Sequence, residues 1–120
     1  MTKILAVDDS SSMRQMVAFT LKSASYDVDE AADGKQALGL AQANKYDVVI
    51  SDVNMPVMDG IELVTQLRQL PAYKFTPILM LTTESTADKK MAGKKAGATG
   101  WIVKPFNPEQ LISTVQKVLR

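Results

Sequence analysis

The chain has 120 residues, of which 46% are hydrophobic, enough for one compact domain with a sizeable core. Cysteine and histidine are absent, which excludes disulfides, thiolate metal sites and imidazole chemistry. No apolar run approaches the roughly 18 residues of a membrane span, and the first residues lack the pattern of a secretory signal. We therefore expect a cytoplasmic protein without membrane insertion, whose chemistry uses carboxylates, hydroxyls, lysines and the backbone.

The net charge of +1 is unevenly distributed along the chain. Residues 1–62 carry ten acidic and five basic side chains, whereas residues 63–120 carry three acidic and nine basic ones. The plainer interpretation is one domain with two differently charged faces. The alternative is an acidic cation site in the first half and a basic docking surface in the second.

Apolar runs of strand length alternate with longer stretches of helical period, which predicts successive βαβ units. The predicted strands are about Lys3–Val7, Asp27–Ala31, Asp47–Ser51, Ile78–Thr82 and Gly100–Lys104. The predicted helices run from a cap at Ser10, Ser11 or Ser12 to about Ser25, from Asp33-Gly34 past Ala41, over Ile61–Leu70, over Thr86–Ala96, and from an Asn107 cap through Leu119.

Helical spacing also predicts which side chains face the core. Met16 and Val17 are expected on the buried stripe of the first helix, and Met91 and Ala92 on that of the fourth. The fourth helix has a small apolar set crowded by lysines, so we expect it to be held loosely.

Five such units with short loops predict an α/β fold. Right-handed crossovers place helices on both faces of a parallel sheet. We expect the flavodoxin-like (βα)5 doubly wound arrangement, with five parallel strands in the order 2-1-3-4-5. Ligands of such sheets bind outside the carboxyl ends of the strands, where the strand order reverses. Here that crevice lies between the first and third strands.

Polar side chains stand at the carboxyl ends of four predicted strands. Asp8 and Asp9 follow the first strand, Asp52 the third, Thr82 ends the fourth and Lys104 the fifth. Taken singly, each residue is better explained as a cap, a turn residue, ordinary strand propensity or an exposed lysine. Their joint occurrence at one edge of the sheet favours a functional site.

Three carboxylates that converge without a cation repel each other and raise a pKa. Mg²⁺ removes that conflict, because it prefers oxygen ligands and commonly keeps waters and phosphate oxygens in its shell. We assign Asp9 and Asp52 as direct ligands and Asp8 as a ligand through water. The backbone carbonyl of Asn54 is a further candidate.

The same groups suit phosphoryl transfer. The Asp52 carboxylate can attack phosphorus and form an acyl phosphate. Lys104 supplies a compact positive charge for the phosphoryl oxygens, and the Thr82 hydroxyl can donate a hydrogen bond to one of them. Phosphoryl transfer needs little from a protein beyond positioning and charge neutralisation.

These residues occur within longer segments whose order and spacing extend over the whole chain: Val7-Asp8-Asp9-Ser10, Ser51-Asp52-Val53-Asn54-Met55-Pro56-Val57-Met58-Asp59-Gly60, Leu81-Thr82-Thr83 and Val103-Lys104-Pro105-Phe106. Together the segments resemble the receiver domain of two-component response regulators. The resemblance is strongest to the single-domain chemotaxis regulators, which Asn54 and Glu84 fit particularly well. It implies a single receiver domain over residues 1–120, with no output domain.

The resemblance implies that Asp52 accepts phosphate from the phosphohistidine of a histidine sensor kinase, with Mg²⁺ required. It implies that Thr82 then moves toward the phosphoryl group and that an aromatic residue of the fifth strand follows it inward. That position is usually tyrosine or phenylalanine, and here it is the larger Trp101, so whether it swings fully inward stays open. Asn54 and Glu84 are expected to modulate dephosphorylation, and the Lys104–Pro105 bond is expected to be cis.

The expected output is a surface formed by the fourth helix, fifth strand and fifth helix. Its partner-binding residues are expected to be Lys89, Lys90, Lys94, Trp101 and Lys117, which favour an acidic partner segment. We expect a monomeric chemotaxis messenger for the flagellar motor switch, which controls flagellar rotation, and not a turnover enzyme. It would catalyse only its own phosphorylation and dephosphorylation.

Two alternatives stay open, a stand-alone phosphorelay intermediate and an aspartyl-phosphate phosphatase. The phosphatase would resemble Asp-x-Asp after the first strand, where this chain has Asp8-Asp9. A P-loop NTPase is excluded because its Gly-x4-Gly-Lys-Ser/Thr motif is absent. A flavodoxin is disfavoured because carboxylates would repel the flavin phosphate. No nucleic-acid recognition motif accompanies the lysines.

Overall fold

The structure is a computed structural model that describes residues 2–53, 55, 58–82, 87–104 and 106–119, and of residues 87–90 the backbone alone. One parallel sheet contains the strands β1 (Lys3–Val7), β2 (Asp27–Ala31), β3 (Val48–Asp52), β4 (Ile78–Thr82) and β5 (Gly100–Val103). The strand order is β2-β1-β3-β4-β5, which confirms the predicted flavodoxin-like topology. Strand β3 runs one residue further than predicted, because Asp52 still pairs with Leu81 of β4.

Five α-helices cover the sheet. They are α1 (Ser11–Ser23), α2 (Gly34–Ala43), α3 (Gly60–Gln69), α4 (Ala87–Ala96) and α5 (Pro108–Val118), with a short 3-10 turn over Pro71–Tyr73. Four helices begin with a side-chain cap whose oxygen accepts the N–H of the third helical residue, and the caps are Ser10, Asp33, Asp59 and Asn107. Such caps satisfy backbone donors at the helix start and fix the loops at the carboxyl edge of the sheet.

The central strands are buried on both faces, as expected for a doubly wound parallel sheet. Leu5 and Val49 pack in a core layer with α2 and α3. Ile4 and Ile50, their neighbours along the strands, pack in a second layer with α1 and α5. None of the described helices is long and apolar enough to cross a membrane.

Two of the core positions predicted for α1 and α4 are wrong. Met16 is 52% exposed, because α1 turns Val17, Ala18 and Leu21 toward the sheet and so carries Met16 outward. Met91 is 58% exposed, and among residues 91–96, the part of α4 whose burial the structure describes, Gly93 is the buried one. A β carbon on Gly93 would lie 2.7 Å from Cζ3 of Trp101, so α4 presents its one position without a side chain to the indole ring.

Arg68 connects the end of α3 to the end of α4. Its Nε and Nη2 donate to the carbonyl oxygen of Gly97 at 3.1 and 2.8 Å. Its Nη1 donates to the carbonyl oxygens of Tyr73 at 2.7 Å and Thr76 at 2.6 Å. The carboxyl-terminal end of α4 is therefore anchored to the body of the domain through one guanidinium.

Candidate functional site

The structure brings three aspartates together at the carboxyl edge of β1 and β3. Val7 pairs with Ser51 across these strands, so the residues that follow emerge side by side. Asp8, Asp9 and Asp52 each offer a carboxylate oxygen, and these oxygens all lie within 4.8 Å of one another. Asp8 and Asp52 are 2% and 8% exposed, whereas Asp9 is open to solvent.

Lys104 places its ammonium between the two buried carboxylates. Its Nζ lies 3.1 Å from Oδ2 of Asp8 and 3.3 Å from Oδ1 of Asp52. The lysine follows β5 directly, and its backbone N–H donates to the carbonyl oxygen of Thr82 at 2.7 Å. This backbone bond ties the end of β5 to the end of β4 and delivers the lysine into the cluster.

Backbone donors fix how the carboxylates point. The N–H of Ser10 donates to Oδ1 of Asp8 at 2.9 Å, and the N–H of Val53 donates to Oδ1 of Asp52 at 2.9 Å. Gly60 begins α3 directly against this strand end, because a β carbon there would lie 2.1 Å from the carbonyl oxygen of Asp52. The close packing of α3 on the end of β3 therefore requires glycine at position 60.

The electrostatics of the cluster suit a divalent cation. Burial raises the pKa of Asp52, the neighbouring charge of Asp8 raises it further, and Lys104 opposes both effects. The site thus holds more negative charge than a single ammonium offsets. Hard carboxylate oxygens at this spacing match the donor set that Mg²⁺ prefers, so the residues present fit that ion.

The remaining predicted residues lie beside the cluster or on the neighbouring surface. Thr82 ends β4 and is fully buried. Trp101 of β5 is half-buried, and its Nε1 is buried with no hydrogen-bond acceptor among the residues that the structure describes. Trp101 and Lys94 line a cavity of about 300 Å³ together with Val103 and the turn between α4 and β5. Lys117 is exposed on α5.

Several predictions fall outside the described residues. They concern Asn54, Glu84, the Lys104–Pro105 bond and the side chains of Lys89 and Lys90. Their assigned roles stay predictions.

Two residues that the geometry places at the site were missed by the sequence reasoning. Gly60 was interpreted only as part of a turn, although a glycine that opens a helix after an Asp cap can also mark a close backbone approach. Arg14 was not singled out, and its Nη1 donates to the carbonyl oxygen of Asp8 at 2.8 Å. Nothing in the sequence distinguishes this arginine from an ordinary exposed one on a helix.

Comparison with known proteins identifies the family. The response regulator receiver domain matches residues 4–116, and the chain belongs to this family. Chemotaxis protein CheY4 of Vibrio cholerae is 62% identical, with a TM-score of 0.97 over 99% of each chain. The receiver domain of the sensor histidine kinase PA1611 of Pseudomonas aeruginosa, with a magnesium ion coordinated in its active-site cleft, is 28% identical, with a TM-score of 0.92 over 98% of this chain and 97% of that one.

A curated relative places the same domain in a longer protein. Transcriptional regulatory protein SrrA of Staphylococcus aureus is 37% identical over 118 residues, which are 98% of this chain and 48% of that protein. The chain therefore spans about half the length of the curated relatives it matches. The resemblance to a CheY-like receiver is confirmed. Receiver domains are phosphoryl-accepting switches of two-component systems rather than turnover enzymes, and they typically use Mg²⁺ at an acidic pocket.

The contact of Gly60 with β3 yields a test of the site's packing. Gly60→Ala is expected to lower the free energy of unfolding by about 3 kcal/mol or more, because the new β carbon forces α3 away from Asp52. The matched control is Gly39→Ala in α2, where a β carbon meets nothing within 4 Å. That change should stabilise the protein by about 0.5–1 kcal/mol. Equal effects of the two substitutions in urea unfolding would contradict the packing described.

The raised pKa of Asp52 predicts how stability depends on pH. An acid whose pKa is higher in the folded state holds its proton more tightly there, so ionised Asp52 destabilises the fold at neutral pH. Without divalent cations, Asp52→Asn should therefore melt at a higher temperature than the wild type at pH 7. The difference should shrink as the pH falls from the raised pKa toward the ordinary value of 3.8. A variant that melts lower than the wild type at pH 7 would refute this.

Proposed function

We propose that this receiver is a phosphorylation-activated messenger of bacterial chemotaxis. Asp52 accepts a phosphoryl group from the phosphohistidine of a sensor kinase, and the phosphorylated domain acts on the flagellar motor switch. The observation that carries the first step is the buried Asp52 carboxylate, which shares one ammonium with Asp8 within 3.3 Å and lies in the cluster of three aspartates.

The chemistry follows from these positions. An oxygen of the Asp52 carboxylate attacks phosphorus, the phosphorus–nitrogen bond of the donor breaks, and the electron pair leaves with the imidazole. Lys104 already lies against Asp52 and neutralises charge on the transferred phosphoryl oxygens. The Thr82 hydroxyl donates a hydrogen bond to one of them as it moves. Asp8, Asp9, Asp52 and the carbonyl of Asn54 would hold Mg²⁺, which supplies further charge neutralisation when bound.

The domain returns to its resting state when water hydrolyses the acyl phosphate. Asn54 and Glu84 stand two residues after Asp52 and Thr82 in the sequence and are proposed to modulate this hydrolysis. The protein thus catalyses its own phosphorylation and dephosphorylation. Its output is a conformation and not a released product.

The chemotaxis assignment is supported by the similarity to CheY4 of Vibrio cholerae, which covers 99% of both chains. The SrrA relative is a transcriptional regulator, so a receiver of this type also serves in longer proteins. A stand-alone phosphorelay intermediate is the alternative outcome, in which phosphate passes on to a histidine phosphotransfer protein.

The proposed partner surface joins α4, β5 and α5. Lys94 and Trp101 border the cavity of about 300 Å³, which is open to a partner side chain. Lys89 and Lys90 belong to the same helix, and Lys117 lies exposed on α5. Lysines around an apolar opening favour a partner segment that combines acidic and apolar residues.

The phosphorylation step can be tested with a small phosphodonor. With Mg²⁺ present, the wild type should acquire a hydroxylamine-labile phosphate, as expected for an acyl phosphate. Asp52→Asn should abolish the label while the circular dichroism spectrum stays unchanged. The matched control is Asp27→Asn, which makes the same chemical change at an exposed residue of β2 and should label normally. Persistent labelling of Asp52→Asn would overturn the assignment.

Trp101 is the only tryptophan, so its fluorescence reports on its own environment. Phosphorylation should change its emission intensity or wavelength, because a switch residue at this position moves relative to Gly93. Gly93→Ala should alter the emission of the unphosphorylated protein, because the β carbon would lie 2.7 Å from the ring. Emission that ignores phosphorylation would eliminate Trp101 as the switch residue.

The lysines of the proposed partner surface predict that partner binding depends on their positive charge. Lys94→Glu should weaken binding of the phosphorylated protein to purified flagellar motor switch protein about threefold to tenfold at low salt. The effect should diminish as salt screens exposed charges. Lys35→Glu on α2 makes the same change on another exposed helix and should bind as the wild type does. Binding of only a histidine phosphotransfer protein in a pull-down would favour the phosphorelay alternative.

A further inference from the structure

Arg14 lies in α1, behind the carboxylate cluster and not in it. Its Nη1 donates a hydrogen bond to the carbonyl oxygen of Asp8 at 2.8 Å, and its Nε lies 3.2 Å from Oε1 of Glu30 on β2. Only 18% of the Arg14 side chain is exposed. A planar guanidinium bound on two sides holds its partners in a defined geometry.

The carbonyl oxygen of Asp8 belongs to the peptide group that joins Asp8 to Asp9. Because a peptide group is planar, a hydrogen bond to this oxygen orients the whole plane and with it the backbone of Asp9. Asp8 itself is fixed by other bonds, since its N–H donates to the carbonyl oxygen of Ala31 at 3.1 Å and its Oδ1 accepts from Ser10 at 2.9 Å. Asp9 is exposed and has less packing to hold it, so the constraint from Arg14 matters most there.

Glu30 determines how the positive charge of Arg14 affects cation binding at the cluster. An unpaired guanidinium beside the cluster would disfavour a bound cation. The ion pair with Glu30 offsets that charge while Nη1 stays on the Asp8 carbonyl. Lys104 differs, because its ammonium contacts the carboxylates themselves.

We propose that Arg14 is a positioning residue that sets the Mg²⁺ affinity of the site by orienting the Asp8–Asp9 peptide group. It touches neither the ion nor the phosphoryl group. The inference rests on the proposed Mg²⁺ site at the three aspartates. Residues that orient metal ligands typically contribute about 10–100-fold to metal affinity, and an effect transmitted through one peptide group belongs at the lower end.

Calorimetric titration with Mg²⁺ separates a positioning role of Arg14 from an effect of its charge. The two predict changes of opposite sign in the Mg²⁺ dissociation constant. Arg14→Ala should raise the Mg²⁺ dissociation constant about tenfold if the arginine positions the peptide. Loss of a nearby positive charge alone would instead lower that constant. Arg14→Lys, which keeps the charge and one donor group, should fall between Arg14→Ala and the wild type. Lys22→Ala removes an exposed positive charge from the last turn of α1 and should bind Mg²⁺ as the wild type does.

Two further readouts keep the proposal falsifiable. At saturating Mg²⁺, Arg14→Ala should accept phosphate within about twofold of the wild-type rate, since excess metal overcomes a loss of affinity that comes from poorer ligand orientation. A rate defect that persists there, or dissociation constants within about twofold of the wild type in both Arg14 variants, would overturn the proposal. If Arg14→Ala fails to fold by circular dichroism, the titration of Arg14→Lys decides. The Mg²⁺ dissociation constants could differ among the variants as expected while the wild type takes up no phosphate. That result would refute the proposed function and leave this inference standing.

Discussion

The structure depends on electrostatic repulsion among three carboxylates that the fold brings together. Three carboxylates share a small crevice, and two of them are nearly inaccessible to water. The Lys104 ammonium bridges Asp8 and Asp52 and satisfies only part of their charge. Burial and Asp8 therefore still raise the pKa of Asp52. A buried excess of negative charge is costly in isolation, and a divalent cation held by these carboxylates would offset it.

The rest of the domain holds these three carboxylates and Lys104 in place. Parallel pairing of β1 with β3 and of β4 with β5 fixes which residues emerge together at one edge. Gly60 lets α3 close on the end of β3, and the backbone bond from Lys104 to Thr82 delivers the ammonium. Strand β5 also connects the cluster to the surface. Its Trp101 packs on Gly93 of α4 and borders the surface cavity. We propose that changes at Asp52 are transmitted to a partner through these packed contacts.

The sequence predicted the parts of the molecule that depend on hydrophobic periodicity and on the residues that begin and end helices and strands. Strands β1, β2 and β4 and the Asn107 cap follow from apolar runs and a capping side chain, and the cap of α1 is Ser10, one of the three serines predicted for it. The phase of a helix on the sheet was less predictable, since Met16 and Met91 have the right residue type but face solvent. That phase depends on how closely each helix packs on its neighbours, as at Gly93, where a β carbon would lie 2.7 Å from the Trp101 ring. Arg14 acts through a backbone oxygen, and a contact of that kind leaves no pattern in the sequence. Gly60 also contacts a backbone oxygen, but its place after the Asp59 cap is a sequence signal for such an approach.

The most direct test is a crystal structure grown with Mg²⁺ and beryllofluoride, a stable mimic of a phosphoryl group. The predicted result is a beryllofluoride adduct on the Asp52 carboxylate, with the Lys104 ammonium against its fluorides and the ion bound by oxygens of Asp9 and Asp52. An adduct on another carboxylate, or an ion bound away from these aspartates while Lys104 still bridges Asp8 and Asp52, would contradict the central claim.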